Sequence, residues 1–246
     1  MKFLINIILM LRQWLFLIYV AVITIILSTL NVTLWAIKAP LSIRIFIGRL
    51  WSRLVRLGMF IFLWLRVRVK GKENIPETAC IFLSKHQSPW ETLVLPSLGP
   101  KSCFVLKKEL LAIPWFGWGL RSVGSIAIDR SQNMQALKQV ISQGKDRLGR
   151  GISITVFPEG TRVLPGKHPK FHKSALSLAK MTKSIVIPIA HNSGSFWPAR
   201  GGIIKPGTID LVIGKPINSK GLSLEELSYQ SYQWMATHMQ EIEKTQ

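Results

Sequence analysis

Between Arg12 and Lys38 the chain runs for 25 residues, Gln13 to Ile37, without a formal charge. No other feature restricts the possible folds as much, because about 20 mostly apolar residues suffice for a helix to cross a bilayer. The heart of the run is WLFLIYVAVITIIL at Trp14–Leu27, and Ser28, Thr29, Asn31 and Thr33 dilute its second half. That pattern predicts a helix that either spans a membrane or inserts deeply at a tilt. A cleaved signal peptide fits less well: the apolar run exceeds the usual ~7–15 residues and no small-x-small cleavage site follows it. Asn31-Val32-Thr33 has the form of a glycosylation sequon, but it lies inside the apolar segment and is discounted.

After Pro40 the pattern changes. Arg49, Arg53 and Arg56 recur at i, i+4 and i+7, which stacks them on one helical face, while Ile45, Phe46, Leu50, Trp51, Leu54, Leu57 and Met59 fill much of the remainder. This reads as an interfacial helix whose arginines meet lipid phosphates; a core-packing helix with a solvated basic edge is the alternative. Lys38, Arg44, Arg49, Arg53 and Arg56 follow the apolar run, against Lys2 and Arg12 before it. The positive-inside rule then places the rest of the chain on the cytoplasmic side of the cell membrane. Residues 1–65 are expected to form a membrane anchor, and residues 66–246 a single catalytic domain, since 246 residues are few for two enzymatic domains.

Lys and Arg number 32 against 12 Asp and Glu, a net charge of +20 that points to an anionic partner: phosphorylated substrate, anionic lipid or nucleic acid. No RNA-binding or helix-turn-helix signature supports the last. The two cysteines, Cys80 and Cys103, form neither a disulfide framework nor a paired zinc motif and read as buried thiols.

From Val67 onward short β-branched runs alternate with helical patterns, so the fold class is α/β, a mostly parallel central sheet flanked by helices and preceded by the anchor. Strands are expected at 79–83, 103–106, 125–128, 152–157, 185–189 and 209–213. Helices are expected at 89–98, 108–120, 133–148, 172–180 and 224–242. Ligands of such sheets collect at the carboxyl ends of the strands. Three polar clusters fall there: His86 to Glu91, Asp129-Arg130, and Pro158 to Arg162.

In the first cluster, SKHQSPWET, a carboxylate at Glu91 could fix the tautomer of His86 and leave its other nitrogen free to take a proton. On a straight helix residues five apart diverge by about 140°, so the two meet only across a turn, which Ser88-Pro89 supplies. The same spacing, Ser88-x-x-Glu91, is equally a capping box with no catalytic role. In VGSIAIDR, Arg130 could present its planar fork to a phosphate, or Asp129 could merely pair with a neighbouring helix. In FPEGTR, Pro158 and Gly160 enforce a turn, Thr161 adds a hydroxyl and Arg162 a charge, which makes either an anion nest or an ordinary basic turn. His168 and His172 are separated by Pro169 and have no third ligand, so no metal site is expected. His191 and His238 read as satisfied or solvated. There is no P-loop, no dinucleotide glycine fingerprint and no Gly-x-Ser-x-Gly elbow.

On four ordered blocks, HQSPWE, GSIAIDR, FPEGTR and VIPIA, together with KKELLAIPWFGWGLR between the first two, the chain resembles the 1-acyl-glycerol-3-phosphate acyltransferase family over roughly residues 67–214. Two departures are visible: Glu91 stands where the family has aspartate, and His172-Lys173-Ser174 follows Phe171 where the family shows Lys-x-Gly. The resemblance implies direct transfer of a fatty acyl group from a thioester to the sn-2 hydroxyl of a lysophosphatidate, with His86 as base and Glu91 orienting it. It assigns Arg130, Glu159, Gly160, Thr161 and Arg162 to the acceptor, with Glu159 holding an arginine or the glycerol. It implies no cofactor and no metal, with acyl-CoA or an acyl carrier protein thioester as co-substrate. Another lysolipid or amino-acid-lipid acceptor is the nearest alternative, and a non-enzymatic membrane adaptor a distant one.

Overall fold

The computed structural model describes residues 2–129 and 133–244. The apolar run folds as one helix, α1 (Lys2–Ala36), and the chain reverses through Lys38, whose φ of +58° is left-handed, to Pro40. Proline with its fixed φ then starts α2 (Leu41–Leu63). The two helices form a hairpin held by polar contacts that an apolar surface would otherwise leave unmade. Trp51 Nε1 donates to Thr24 Oγ1 at 2.9 Å, the Tyr19 hydroxyl to Leu54 O at 3.0 Å, and Asn31 Nδ2 to Arg44 O at 3.1 Å. Gly58 lets the helices approach: a Cβ there would lie 2.4 Å from the Tyr19 ring.

α2 ends at Trp64, itself left-handed, and the chain enters β1 (Leu65–Lys70) at once. The sequence pattern had put the onset of β structure at Val67, because Leu65 closes an unbroken apolar run that reads as helix. The remaining elements are β2 (Ile81–Ser84), α3 (Trp90–Val94), β3 (Ser102–Lys107), α4 (Phe116–Ser122), β4 (Ile126–Ile128), α5 (Asn133–Gly149), β5 (Ser153–Val156), α6 (Lys173–Thr182), β6 (Ile185–His191), α7 (Ser193–Phe196), β7 (Gly207–Ile213), β8 (Ile217–Asn218) and α8 (Leu224–Lys244). Two expected helices are shorter than their patterns. Pro96 and Pro114 remove backbone donors, so α3 passes into a 3-10 turn at Leu95, and Lys108–Ala112 is 3-10 before α4 begins at Phe116.

The sheet runs β1-β7-β6-β2-β5-β3-β4, with β8 beside β6. All pairings are parallel except β6–β7 and β6–β8. The fold is thus α/β with a mostly parallel sheet. Alternate residues divide two cores: Phe82, Ile187, Ile189 and Leu211 pack under Val55, Met59 and Leu63 of α2 and Phe16 of α1, whereas Ile81, Leu83, Ile154 and Val186 pack against Leu176, Leu178 and Leu227 of α6 and α8. The outward face of the hairpin stays uncovered, with Phe3, Trp14, Ile18, Ile26, Phe46 and Ile61 each more than half exposed. Phe3–Ala36 is long and apolar enough to cross a membrane.

Candidate active site

Because β2 and β5 are neighbours, the loops that leave their carboxyl ends lie side by side. That adjacency joins the first and third polar clusters. His86 leaves β2, and its ring stacks on Phe157, just past β5, with centroids 4.1 Å apart and planes at 18°. Val163 N–H donates to His86 O at 2.8 Å, which stitches the loop after FPEGTR to the histidine.

Glu91 sits on the first turn of α3 and is fully buried. Its Oε1 accepts the backbone N–H groups of Gln87 and Ser88, each at 2.7 Å, and the Ser193 hydroxyl at 3.0 Å. Ser88 Oγ in turn accepts the Trp90 N–H at 3.0 Å. Its Oε2 faces His86 Nδ1 at 3.6 Å, an ion-pair separation rather than a hydrogen bond. Burial pushes the Glu91 carboxyl up, but the adjacent His86, the charge of His191 and the Gln87 N–H outweigh it and hold the group below the ordinary carboxylate range. With Nδ1 turned to a carboxylate, Nε2 is the nitrogen left for the cavity beside it.

His191, expected to be satisfied or solvated, is fully buried; its Nε2 lies 2.9 Å from Lys85 O and 3.6 Å from Glu91 Oε1. Burial lowers its pKa, with Glu91 and the Lys85 carbonyl opposing. Sequence spacing offered no sign of this neighbour, since His191 arrives at the end of β6, on the other side of β2 from β5.

Glu159 points inward. It is almost fully buried and pairs with the equally buried Lys85 at 2.9 Å, so the cation it holds is a lysine. Burial pushes its carboxyl up and the Lys85 ammonium pulls back against that shift. Gly160 has φ +67°, a backbone conformation that favours glycine, and a Cβ there would stand 3.1 Å from the His172 ring, close enough to make that side chain shift. Thr161 and Arg162 are exposed on the wall of the cavity that His86 lines. The second cluster is two strands further along the sheet. Asp129 makes an ion pair with Lys108 at 2.5 Å, and Arg130 lies outside the described residues.

The cavity has a volume of about 670 Å³. Its roof is the helical hairpin, through Thr24, Leu27 and Ser28 of α1 and Ile45 and Gly48 of α2, and its floor is β3. Four cations line it, Arg49, Lys107, Arg162 and Arg200, and no carboxylate does so among the described residues. Of these the sequence pattern marks only Arg162 for the site; Arg49 reads there as a lipid contact, Lys107 only opens the KKELLAIPWFGWGLR block, and no local pattern marks Arg200. Among the described residues no three His, Cys, Asp or Glu gather as a metal site.

A mostly parallel sheet, a histidine at its carboxyl rim and a cation-lined apolar cavity roofed by an apolar hairpin together define a membrane-associated α/β enzyme. The chain belongs to the acyltransferase family, whose profile matches residues 66–192. It is 44% identical over 185 residues to a 1-acyl-sn-glycerol-3-phosphate acyltransferase of Pseudomonas aeruginosa, a match covering 74% of this chain and 72% of that one. It is 31% identical over 179 residues to the chloroplastic enzyme of that name in Arabidopsis thaliana, covering 70% of this chain and 48% of the plant one. The crystal structure of the 1-acyl-sn-glycerophosphate acyltransferase PlsC from Thermotoga maritima superposes with a TM-score of 0.74 at 26% identity, covering 98% of both chains.

Proposed function

We propose that the chain transfers a fatty acyl group from an acyl thioester to the sn-2 hydroxyl of 1-acyl-sn-glycerol 3-phosphate, releasing the free thiol and forming phosphatidate. The observation that carries this reading is the placement of His86, backed by the buried Glu91, at a cavity shared with Arg162. His86 Nε2 takes the proton of the acceptor hydroxyl as its oxygen attacks the thioester carbonyl. The tetrahedral adduct collapses by expelling the thiolate, which recovers the proton from the imidazolium. Glu91 fixes the ring and stabilises the imidazolium, and no covalent enzyme intermediate forms. Thr161 and Arg162, with Arg130 and the Gly160 turn, hold the glycerol phosphate. Glu159 acts through Lys85, keeping the two loops in register. The donor is acyl-CoA or an acyl carrier protein thioester.

Residues 1–65 serve as the anchor and 66–246 as the acyltransferase domain. Gln13 Nε2 donates to Gly202 O at 3.2 Å, and Ile204 N–H donates to Gln13 Oε1 at 2.9 Å. From Gln13 to Asn31 one side of α1 lies against protein while the other is apolar and open. This favours deep insertion into one leaflet, with the catalytic rim at the lipid headgroups on the cytoplasmic side of the cell membrane. There the lysolipid and its product can enter and leave the cavity sideways.

The test is a competition assay of the purified full chain over a panel of lysolipids, with acyl-CoA and acyl carrier protein thioesters as parallel donors. Phosphatidate should be the dominant product. Preferred acylation of a lysolipid bearing a different headgroup would overturn the acceptor assignment.

A further inference from the structure

The family-matched region ends at residue 192, yet the C-terminal helix reaches back into the candidate site. Glu243, on the last turn of α8, uses Oε1 to accept both the Gln87 side-chain amide and the Gly166 N–H, each at 3.1 Å. Its Oε2 stands 3.7 Å from His168 Nε2. Gln87 follows His86 directly and is fully buried, and its Oε1 accepts the Gly194 N–H at 3.3 Å. Gly166 belongs to the irregular loop that presents Thr161, Arg162 and Leu164 to the cavity. One carboxylate oxygen therefore ties the histidine loop to the far end of the arginine loop.

We infer that Glu243 is a positioning residue that holds Arg162 at a set distance from His86, and so sets the affinity for the phosphate-bearing acceptor. This rests on the acceptor reading above. Without regular structure, the loop depends on discrete ties. Its near end is fixed by Val163 N–H to His86 O, and its far end by Lys85 Nζ to Lys167 O at 2.9 Å and the Tyr232 hydroxyl to His168 O at 2.8 Å. Two of the far-end contacts reach a neighbour of the base: Lys85, which precedes His86, and Glu243, which grips Gln87 on its other side. Charge-assisted hydrogen bonds from a carboxylate to N–H donors are stronger than neutral ones, and losing this one also strands the buried Gln87 amide. The Arg162 loop would then sample positions in which the guanidinium misses the phosphate.

The test is steady-state kinetics of the full chain in mixed micelles with lysophosphatidate as varied acceptor, alongside thermal melting. Glu243→Ala should raise the KM for lysophosphatidate about tenfold, the factor a lost charge-assisted bond supports, and change kcat less than threefold. Glu243→Gln, which keeps an acceptor oxygen but not the charge, should give a KM between those of the parent and the alanine variant. If the alanine variant does not fold, Glu243→Asp, one methylene shorter, should show an intermediate KM. An unchanged KM in the alanine or aspartate variant, or a glutamine variant as impaired as the alanine one, overturns the inference. If the parent enzyme fails to acylate lysophosphatidate, it is the acceptor reading that falls.

Discussion

Glu91 meets His86 with one carboxylate oxygen and caps the chain with the other. Oε2 lies 3.6 Å from His86 Nδ1, while Oε1 takes the Gln87 and Ser88 N–H groups at 2.7 Å. The glutamate half of the capping box and a histidine–carboxylate contact, rival readings of one spacing, therefore coexist, while the Ser88 hydroxyl takes the Trp90 N–H rather than that of Glu91. The turn through Ser88-Pro89 makes this possible, because it folds His86 back over the start of α3. The longer glutamate reaches both partners from the helix's first turn.

His86→Ala should lower turnover by about 10²–10⁴-fold, the usual worth of a general base, while the hairpin keeps the protein on membranes. Turnover by the variant protein, together with flotation on lipid vesicles, checks both halves. Near-normal turnover would remove the base assignment.

Glu91→Gln separates the two tasks of the carboxylate. A glutamine oxygen can still accept the Gln87 and Ser88 N–H groups, but its amide presents a donor to His86 Nδ1 and disfavours the productive tautomer. Turnover should fall at least tenfold, and the melting temperature near neutral pH should drop by what the ionised carboxylate contributes there, with parent and variant converging in acid. The pH dependence of stability follows in sign. Glu91 is held below its unfolded value, so it contributes stability that is complete above the ordinary carboxylate pKa of about 4.3. That contribution is lost as pH falls through the lower folded value. In Glu91→Gln this acid-side loss should shrink, and melting curves taken across acid pH would show it.

Arg162→Ala should raise the KM for lysophosphatidate by about tenfold or more, since it removes a charge-assisted contact to phosphate, and should affect neutral acceptors little. If both KM and turnover for lysophosphatidate match the parent, Arg162 does not grip the headgroup.

The layout of strands and the three rim clusters were readable from the chain because β-branched runs and turn residues alternate regularly. Which clusters would meet was not readable, since strand order comes from tertiary packing. β5 inserts beside β2, which brings Phe157 and Val163 onto His86, whereas β4 lies at the sheet edge and leaves Asp129 with Lys108. The partners behind the site were equally hidden. Ser193 and His191 lie about a hundred residues from Glu91 in sequence, and no local pattern links a loop glutamine such as Gln87 to the end of a distant helix. The helix α1 was legible as an apolar run, but its place over the cavity was not: only packing shows that Thr24 and Ser28, with Gly48 of α2, roof it.

The Lys85–Glu159 pair should behave as a buried ion pair whose members cannot be removed singly. Lys85 is 2% exposed and Glu159 1% at the side chain, and each is the other's closest opposite charge at 2.9 Å. Lys85→Met leaves a buried carboxylate without its cation, which should cost about 3–5 kcal/mol. Burial raises the Glu159 carboxyl even with Lys85 present, and removal of the ammonium lifts it further. A carboxyl raised above its unfolded value contributes stability that is fully present below the unfolded pKa and is lost as pH rises through the folded one. The deficit of Lys85→Met relative to the parent should therefore widen between about pH 5 and pH 8. Adding Glu159→Leu should recover a large part of the loss, because an apolar pair avoids both desolvation penalties. Melting of the parent, single and double variants at the two pH values decides the matter. A single variant as stable as the parent, or a double variant no better than Lys85→Met, would show that the pair does not hold the β2 and β5 loops together.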